Sequence, residues 1–408
     1  MAQPLKIPIR PSSLKLVQQP SPSSPVSAIV HSAPGREVDL PSEIISHILS
    51  YIPRRENTQA TFWACSLVSR TWYSASIALL YSRPYLNGGN FAEFVRTVCP
   101  SKNAHIRLST LAILVRKLDM GELVHNASRS LTARLLGRLK GNIEEFVAPQ
   151  ASFAINSFAA LSKCTKLRHL DLSLISASIS NKLLFQTLKS LRDLETLFFP
   201  RSSSHDQEYT ETAYSWPPKL KSLHLAGGID SNFLLKHLVN APPSLQRLSI
   251  QHCSQVYPSS LLSTLRELGP QLQHLTIRHP MLQFWVGSLD FVLDTCPCLT
   301  ALRISADFIS DKMFSSSYIQ LPHPLQILDI ECSPTAGADV GIGASAIYDS
   351  VEEGRLPDLR SVRVSARLAW AATESTRTDA NDLRDILDEG EMEKPLGIDT
   401  GVWYNMPD

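Results

Sequence analysis

The stretch LQRLSIQHCSQVYPSSLLSTLRELGPQLQHLTIR, residues 245–278, decides the fold. It opens and closes on one pattern, L-x-x-L-x-L with aliphatic substitutes. The copies are Leu245-Leu248-Ile250 and Leu272-Leu275-Ile277. The last two positions of each copy alternate with polar residues, as in a strand that buries one face. Between the copies, Leu261, Leu262, Leu265 and Leu268 recur at helical spacing. One unit is thus a strand plus a helix, and alone it cannot bury its apolar face.

The pattern extends in both directions from there. Clear copies are Leu167-Leu170-Leu172, Leu194-Leu197-Phe199, Leu220-Leu223-Leu225, Leu299-Leu302-Ile304 and Leu325-Leu328-Ile330. Weaker ones are Val115-Leu118-Met120, Ile143-Phe146-Ala148 and Leu359-Val362-Val364. First residue to first residue, the ten copies are spaced 28, 24, 27, 26, 25, 27, 27, 26 and 34. That period falls with leucine-rich repeats, whose units run about 20–29 residues. The expected fold class is an α/β solenoid over residues 111–370, an arc with a parallel β-sheet on its concave side and helices outside. The longest interval holds a small-residue insertion from Ala336 to Gly343. The polar run from Arg201 to Trp216 is expected to be a surface loop at one rim. Past residue 370, Leu383, Ile386 and Leu387 predict a helix that caps the open end, with Trp403 and Tyr404 beside it and an acidic tail beyond.

Before the repeats comes DLPSEIISHILSYIPRRENTQATFWACSLVSRTWYSASIALLYSRPYL, residues 39–86. It reads as three short helices. Pro41 suits a first helical turn, Glu43 suits the positive helix end, and Pro53 stops the run. Thr58 opens a second helix with Phe62, Cys65, Leu67 and Val68, and a third begins near Ser69 with Trp72, Ala75, Leu79 and Leu80. So few residues bury little surface alone and call for a partner. Leu40-Pro41, Glu43, Ile48-Leu49, Val68-Ser69-Arg70-Thr71-Trp72 and Leu80-Tyr81 together resemble the F-box. The resemblance covers residues 38–86. It implies docking onto the Skp-type adaptor of an SCF ubiquitin ligase, and through it cullin, by Leu40, Pro41, Ile44, Ile48, Leu49, Val68 and Trp72. The Phe91, Phe94, Val95 and Val98 spacing predicts a linker helix within 87–110.

Composition narrows the classes. The chain has 408 residues, net charge +1 and a 43% hydrophobic fraction. Nothing in that balance argues for nucleic acid or membrane, and no apolar run is long enough to span a bilayer. Residues 1–37, rich in Pro, Ser and Gln, are expected to be a disordered, mildly basic tail without the apolar core of a signal peptide. Seven cysteines without a staple pattern suit a reducing compartment, cytosol or nucleus. Asn126-Ala127-Ser128 matches a glycosylation acceptor, accidental without secretion.

Enzymatic motifs are missing. Gly341-Ile342-Gly343 falls in a loop rather than directly after a strand, so it does not read as a dinucleotide site. Cys296-Pro297-Cys298 lacks zinc spacing; with Cys164, Cys253 and Cys332 it reads as core cysteine at the turn between helix and strand. His205-Asp206 has no nucleophile partner. No cofactor or metal is expected. The informative residues are strand positions that point into the arc. They include His169, His224, Arg247, His274, Arg278 and Arg303, with Asp329 and Glu331 further on. Arg247, His274, Arg278 and Arg303 come from three successive units and predict a cationic cradle for an acidic or phosphorylated target segment. The reading is a non-catalytic substrate receptor: F-box on the adaptor, arc on the target. The alternative is a scaffold or sensor built on the same repeats outside the ligase.

Overall fold

The computed structural model describes residues 40–53, 58–101, 109–123, 128–204, 214–336 and 340–406. The chain divides into two units, residues 1–41 and 42–408; of the first, only Leu40 and Pro41 are described. The expected N-terminal tail, Asn126-Ala127 and His205-Asp206 lie outside the described residues, as do 337–339 of the insertion.

Every predicted copy of the repeat forms a strand. The strands are β1 (Lys117–Asp119), β2 (Glu145–Val147), β3 (His169–Asp171), β5 (Thr196–Phe198), β7 (Ser222–Ala226), β8 (Arg247–Gln251), β9 (His274–Arg278), β10 (Ala301–Ser305), β11 (Ile327–Glu331) and β12 (Ser361–Ser365). They pair in parallel and in chain order within one sheet. Leu118, Phe146, Leu170, Leu197, Leu223, Leu248, Leu275, Leu302, Leu328 and Val362 sit directly opposite one another along that sheet. All are buried, so the apolar position of each unit rests on the same position of the next. The other short strands, β4 (Ile179–Ser180) and β6 (Ser203–Ser204), form a separate parallel ribbon at the rim. Helices α5 (Arg129–Leu139), α6 (Ile155–Leu161), α7 (Asn181–Leu188), α8 (Ser231–His237), α9 (Pro258–Leu268), α10 (Val292–Thr295) and α11 (Ala344–Glu352) fill the outer layer. Their apolar faces join the strand leucines in one continuous core. This is a leucine-rich-repeat solenoid.

Two expectations at the rims change. Trp216 is buried rather than part of a polar surface loop, and its indole N–H donates to the His237 carbonyl at 2.8 Å. Tyr214 stacks on Phe185 with ring centroids 4.4 Å apart. The run from Arg201 thus returns to the core at its aromatic end, where burial outweighs the polar composition of its start. At the C-terminus the sheet does not stop near residue 370. Gly401–Met406 forms β13, parallel to β12, with Val402 opposite Val362. Helix α12 (Glu374–Glu393) buries Ala380, Leu383 and Leu387 against the core. Strand plus helix make one further unit, where the sequence suggested a cap followed by a solvated tail.

That last unit is clasped by a buried arginine. The Arg360 side chain is 2% exposed. Its guanidinium donates to the carbonyls of Pro357, Leu359, Gly390 and Lys394 at 2.7–3.2 Å and to the Glu391 carboxylate at 3.1 Å. Gly390 admits it, since a Cβ there would lie 3.0 Å from the guanidinium. Arg360→Met takes this donor from the Pro357, Leu359 and Lys394 carbonyls, while Gly390 keeps the Lys394 N–H, and we expect a loss of about 3 kcal/mol, at roughly 1 kcal/mol per orphaned group. Urea denaturation with an unchanged m-value checks it.

The cysteine expectation holds for Cys164, Cys253, Cys296 and Cys332, all buried, whereas Cys298 is exposed. Burial pushes the Cys164, Cys253 and Cys296 thiols up to about 12, so they remain neutral packing groups. Gly343 precedes α11, and its N–H is already taken by Asp311 Oδ1 at 3.1 Å. No phosphate cradle forms there.

Candidate adaptor face and target face

The N-terminal helices are α1 (Ser42–Ser50), α2 (Thr58–Ser66) and α3 (Arg70–Ser82). The Ser69 side chain caps α3 by accepting from the Trp72 N–H. Helix α3 is the spine, packing against both α1 and α2. Ile45, Leu49, Phe62 and Ala75 form a small core, with Ile52, Cys65, Trp72, Leu79 and Leu80 packed around it. This core is separate from that of the repeats.

Spacing on α1 decides which residues face out. Ile45 and Leu49 point inward, so Ile44, Ile48 and Tyr51 form a stripe on another face. They are 47%, 45% and 75% exposed, against 1% for Leu49. Leu49 is therefore corrected from adaptor contact to core residue. Trp72 is half-buried against that core and is likewise mostly a packing residue. Leu40, Pro41 and Val68 are exposed. Helix α2 ends at Ser66, so Leu67 and Val68 lie beyond it and stand clear of the core. Tyr51, Trp63 and Tyr73 are further exposed apolar side chains that the sequence did not single out, and Leu67, read as part of the second helix, is exposed beyond its end. Only the choice of inward face reveals them.

The helical module is docked to the repeats through short links. Arg116 N donates to the Ser82 carbonyl at 2.9 Å, joining the end of α3 to the lead-in of β1. Arg83 pairs with Glu145 of β2 at 2.8 Å, and the Tyr85 hydroxyl donates to Glu122 at 2.8 Å. Leu86 and the linker helix α4 (Phe91–Val98) bury Phe91, Phe94 and Val98 in the repeat core.

The second face is the open side of the sheet, and here the cradle changes character. Arg278 Nε donates to Glu331 Oε2 at 2.5 Å, and Arg303 Nε reaches the other oxygen of the same carboxylate. Glu331 is buried to 1% exposure. The small Ser305 lies opposite Glu331 on the strand between, which lets Arg278 reach across it. Arg363 is held by Asp329 at 2.8 Å. Two of the three arginines of the expected cradle are thus engaged by a carboxylate from a unit further along the chain. The register of β9, β10 and β11 brings them together, and no single unit's sequence shows it.

His224 and His274 do not supply charge either. His224 stacks on Phe198 with centroids 3.9 Å apart and planes within 2°. His169 leans on the same ring at 5.5 Å, and His224 Nε2 meets Ser222 Oγ at 3.0 Å. Burial pushes the His224 imidazole down to about 4, against the opposing pull of Asp171. Burial, with Arg247 nearby, also lowers His274. Among the described residues, no cluster of His, Cys, Asp or Glu is placed to hold a metal ion, and no helix is long and apolar enough to cross a membrane.

A family model described as F-box-like matches residues 38–87. An F-box protein of Saccharomyces cerevisiae, YDR306C, is 32% identical over 84% of this chain and 73% of its own length. That settles the family. The chain belongs to the F-box proteins. Protein pof5 of Schizosaccharomyces pombe is 28% identical over 86% of this F-box protein and 97% of its own length. Among solved structures, an internalin (inlF) from Listeria monocytogenes aligns over 76% of this chain and 88% of its own at 13% identity and a TM-score of 0.37, too distant to inform function.

The half-buried His224 imidazole of this F-box protein has a pH consequence. An unfolded chain protonates His224 below its ordinary value near 6.5, whereas the folded chain resists until about 4. Stability is therefore full above that ordinary value and falls as pH drops toward 4, by at most about 3 kcal/mol from this group. His224→Phe keeps the stack with Phe198 and should flatten the fall in melting temperature over that window. The remaining slope belongs to His252, His274 and His323, whose values burial also lowers.

Proposed function

We propose that this F-box protein is the substrate-recognition subunit of an SCF-type ubiquitin ligase. The outward stripe of α1 carries the reading: Ile44 and Ile48 are exposed while their neighbours Ile45 and Leu49 build the core. Each isoleucine gains about 1 kcal/mol when a partner covers its exposed half. With Val68 they offer an apolar face to a Skp-type adaptor, and the adaptor in turn joins cullin. The open face of the repeats would hold the target. Docking of the helical module on the first repeats then makes ubiquitin transfer a proximity effect that needs no catalytic group on this chain. The cytosol or nucleus is the compartment that suits this assembly.

Ile44→Glu with Ile48→Glu should abolish co-purification with the adaptor and leave the melting temperature unchanged. Val68→Glu should weaken it. Leu49→Ala acts differently: it opens a core cavity and destabilises the helical module by about 2–5 kcal/mol. Retained adaptor binding in the double variant would sink the proposal. Pull-down of cullin with the wild-type chain separates the ligase from a scaffold that uses the adaptor alone.

A further inference from the structure

The charges described on the concave face are almost all compensated within the fold. Lys117 pairs with Asp119, Glu145 with Arg83, Asp329 with Arg363, and Glu331 with Arg278 and Arg303. Asp171 accepts from the backbone N–H and hydroxyl of Ser173. Arg247 is the exception among the described arginines of this face: it is exposed and no carboxylate meets it. It lies opposite Ser222 on one side and His274 on the other. The histidines around it stay neutral at physiological pH. The flat, half-buried Phe198–His224 stack begins on the adjoining strand, where His224 lies opposite Ser249, and ends on β5 one strand further away.

We propose that Arg247 and the Phe198–His224 platform form a reading site for an extended peptide segment that carries one carboxylate next to an aromatic or large aliphatic side chain. The proposal rests on the reading of the sheet face as the target face and names the chemistry of the target there. Charge decides the anion. A carboxylate matches the Arg247 guanidinium, uncompensated among the described residues of this face, and Arg offers it a two-pronged set of donors. A phosphorylated side chain carries up to two charges and favours a cluster of free arginines. The neighbouring arginines that would complete such a cluster already hold Glu331 and Asp329. The platform supplies the second element: a planar, partly desolvated surface suits a ring or branched side chain. Strand spacing places the His224 edge of the platform diagonally across one strand from Arg247, with Phe198 on the strand beyond, so that neighbouring side chains of an extended segment lying across the strands can reach both.

The test uses the full chain with its adaptor and a randomised peptide library displayed on phage, selected in parallel against wild type and Arg247→Glu. Wild type should enrich peptides with a Glu or Asp beside Phe, Tyr or Leu. Arg247→Glu should lose them and enrich Lys or Arg at the same position, an inversion that a merely structural role cannot produce. By fluorescence anisotropy, replacing the enriched Glu by Gln should weaken binding roughly tenfold or more. Phe198→Ala should relax the choice of the apolar neighbour. Identical enrichment by both proteins, no enrichment at all, or a phosphoserine version of the selected peptide that binds more tightly than the carboxylate overturns the proposal. Adaptor co-purification, measured on the same samples, reports separately on the ligase reading.

Discussion

The structure depends on each repeat being unable to bury its own apolar face. A three- to five-residue strand and a short helix expose their leucines until the next unit covers them. Register is the consequence: Leu118, Phe146, Leu170 and their successors stand opposite one another because a slip of one residue would turn every one of them to water. The same need explains both ends. The sheet begins where Arg116 meets the end of α3, and it finishes with a unit whose strand, β13, is separated from the preceding strand by the long helix α12. Arg360 fastens that unit by donating to carbonyls on both sides of it.

The helical module solves the opposite problem. Its core is small, built on Ile45, Leu49, Phe62 and Ala75, and much apolar surface remains outside it. Ile44, Ile48, Tyr51, Leu67 and Val68 are exposed apolar side chains of this module, and the proposed adaptor contact would cover Ile44, Ile48 and Val68 among them. Because α4 is anchored in the repeat core and Arg83 reaches Glu145, the open helical face and the open sheet face have fixed partners within one unit. An adaptor on one face and a target on the other would then be held at a set separation.

On the sheet, compensation of charge separates scaffold from site. Arg278 and Arg303 read alike with Arg247 in the sequence, yet Glu331 ties both into the architecture, as Asp329 ties Arg363. Long side chains reaching across strands brace the inner surface of the sheet. Among the described arginines of this face, what remains unbraced is the Arg247 guanidinium, near the Phe198–His224 stack.

The sequence by itself determined the solenoid, the number and phase of its first ten strands, the three-helix module and its family signature. These follow from periodicity, which is a local property: every leucine repeats the environment of the last. It also marked Ile44, Ile48 and Val68, since a signature motif travels with its residues. Tertiary structure decided the rest. Leu49 turned inward because α3 packs on one side of α1. Gly401–Met406 became a strand because β12 offered an unpaired edge, although the segment lacks the leucine pattern. Trp216 left its polar neighbours for an aromatic pocket around Phe185 and His237. The cradle dissolved because Glu331 lies close in space and far in sequence. Each of these outcomes depends on which groups share a neighbourhood after folding, and a one-dimensional pattern carries no record of that.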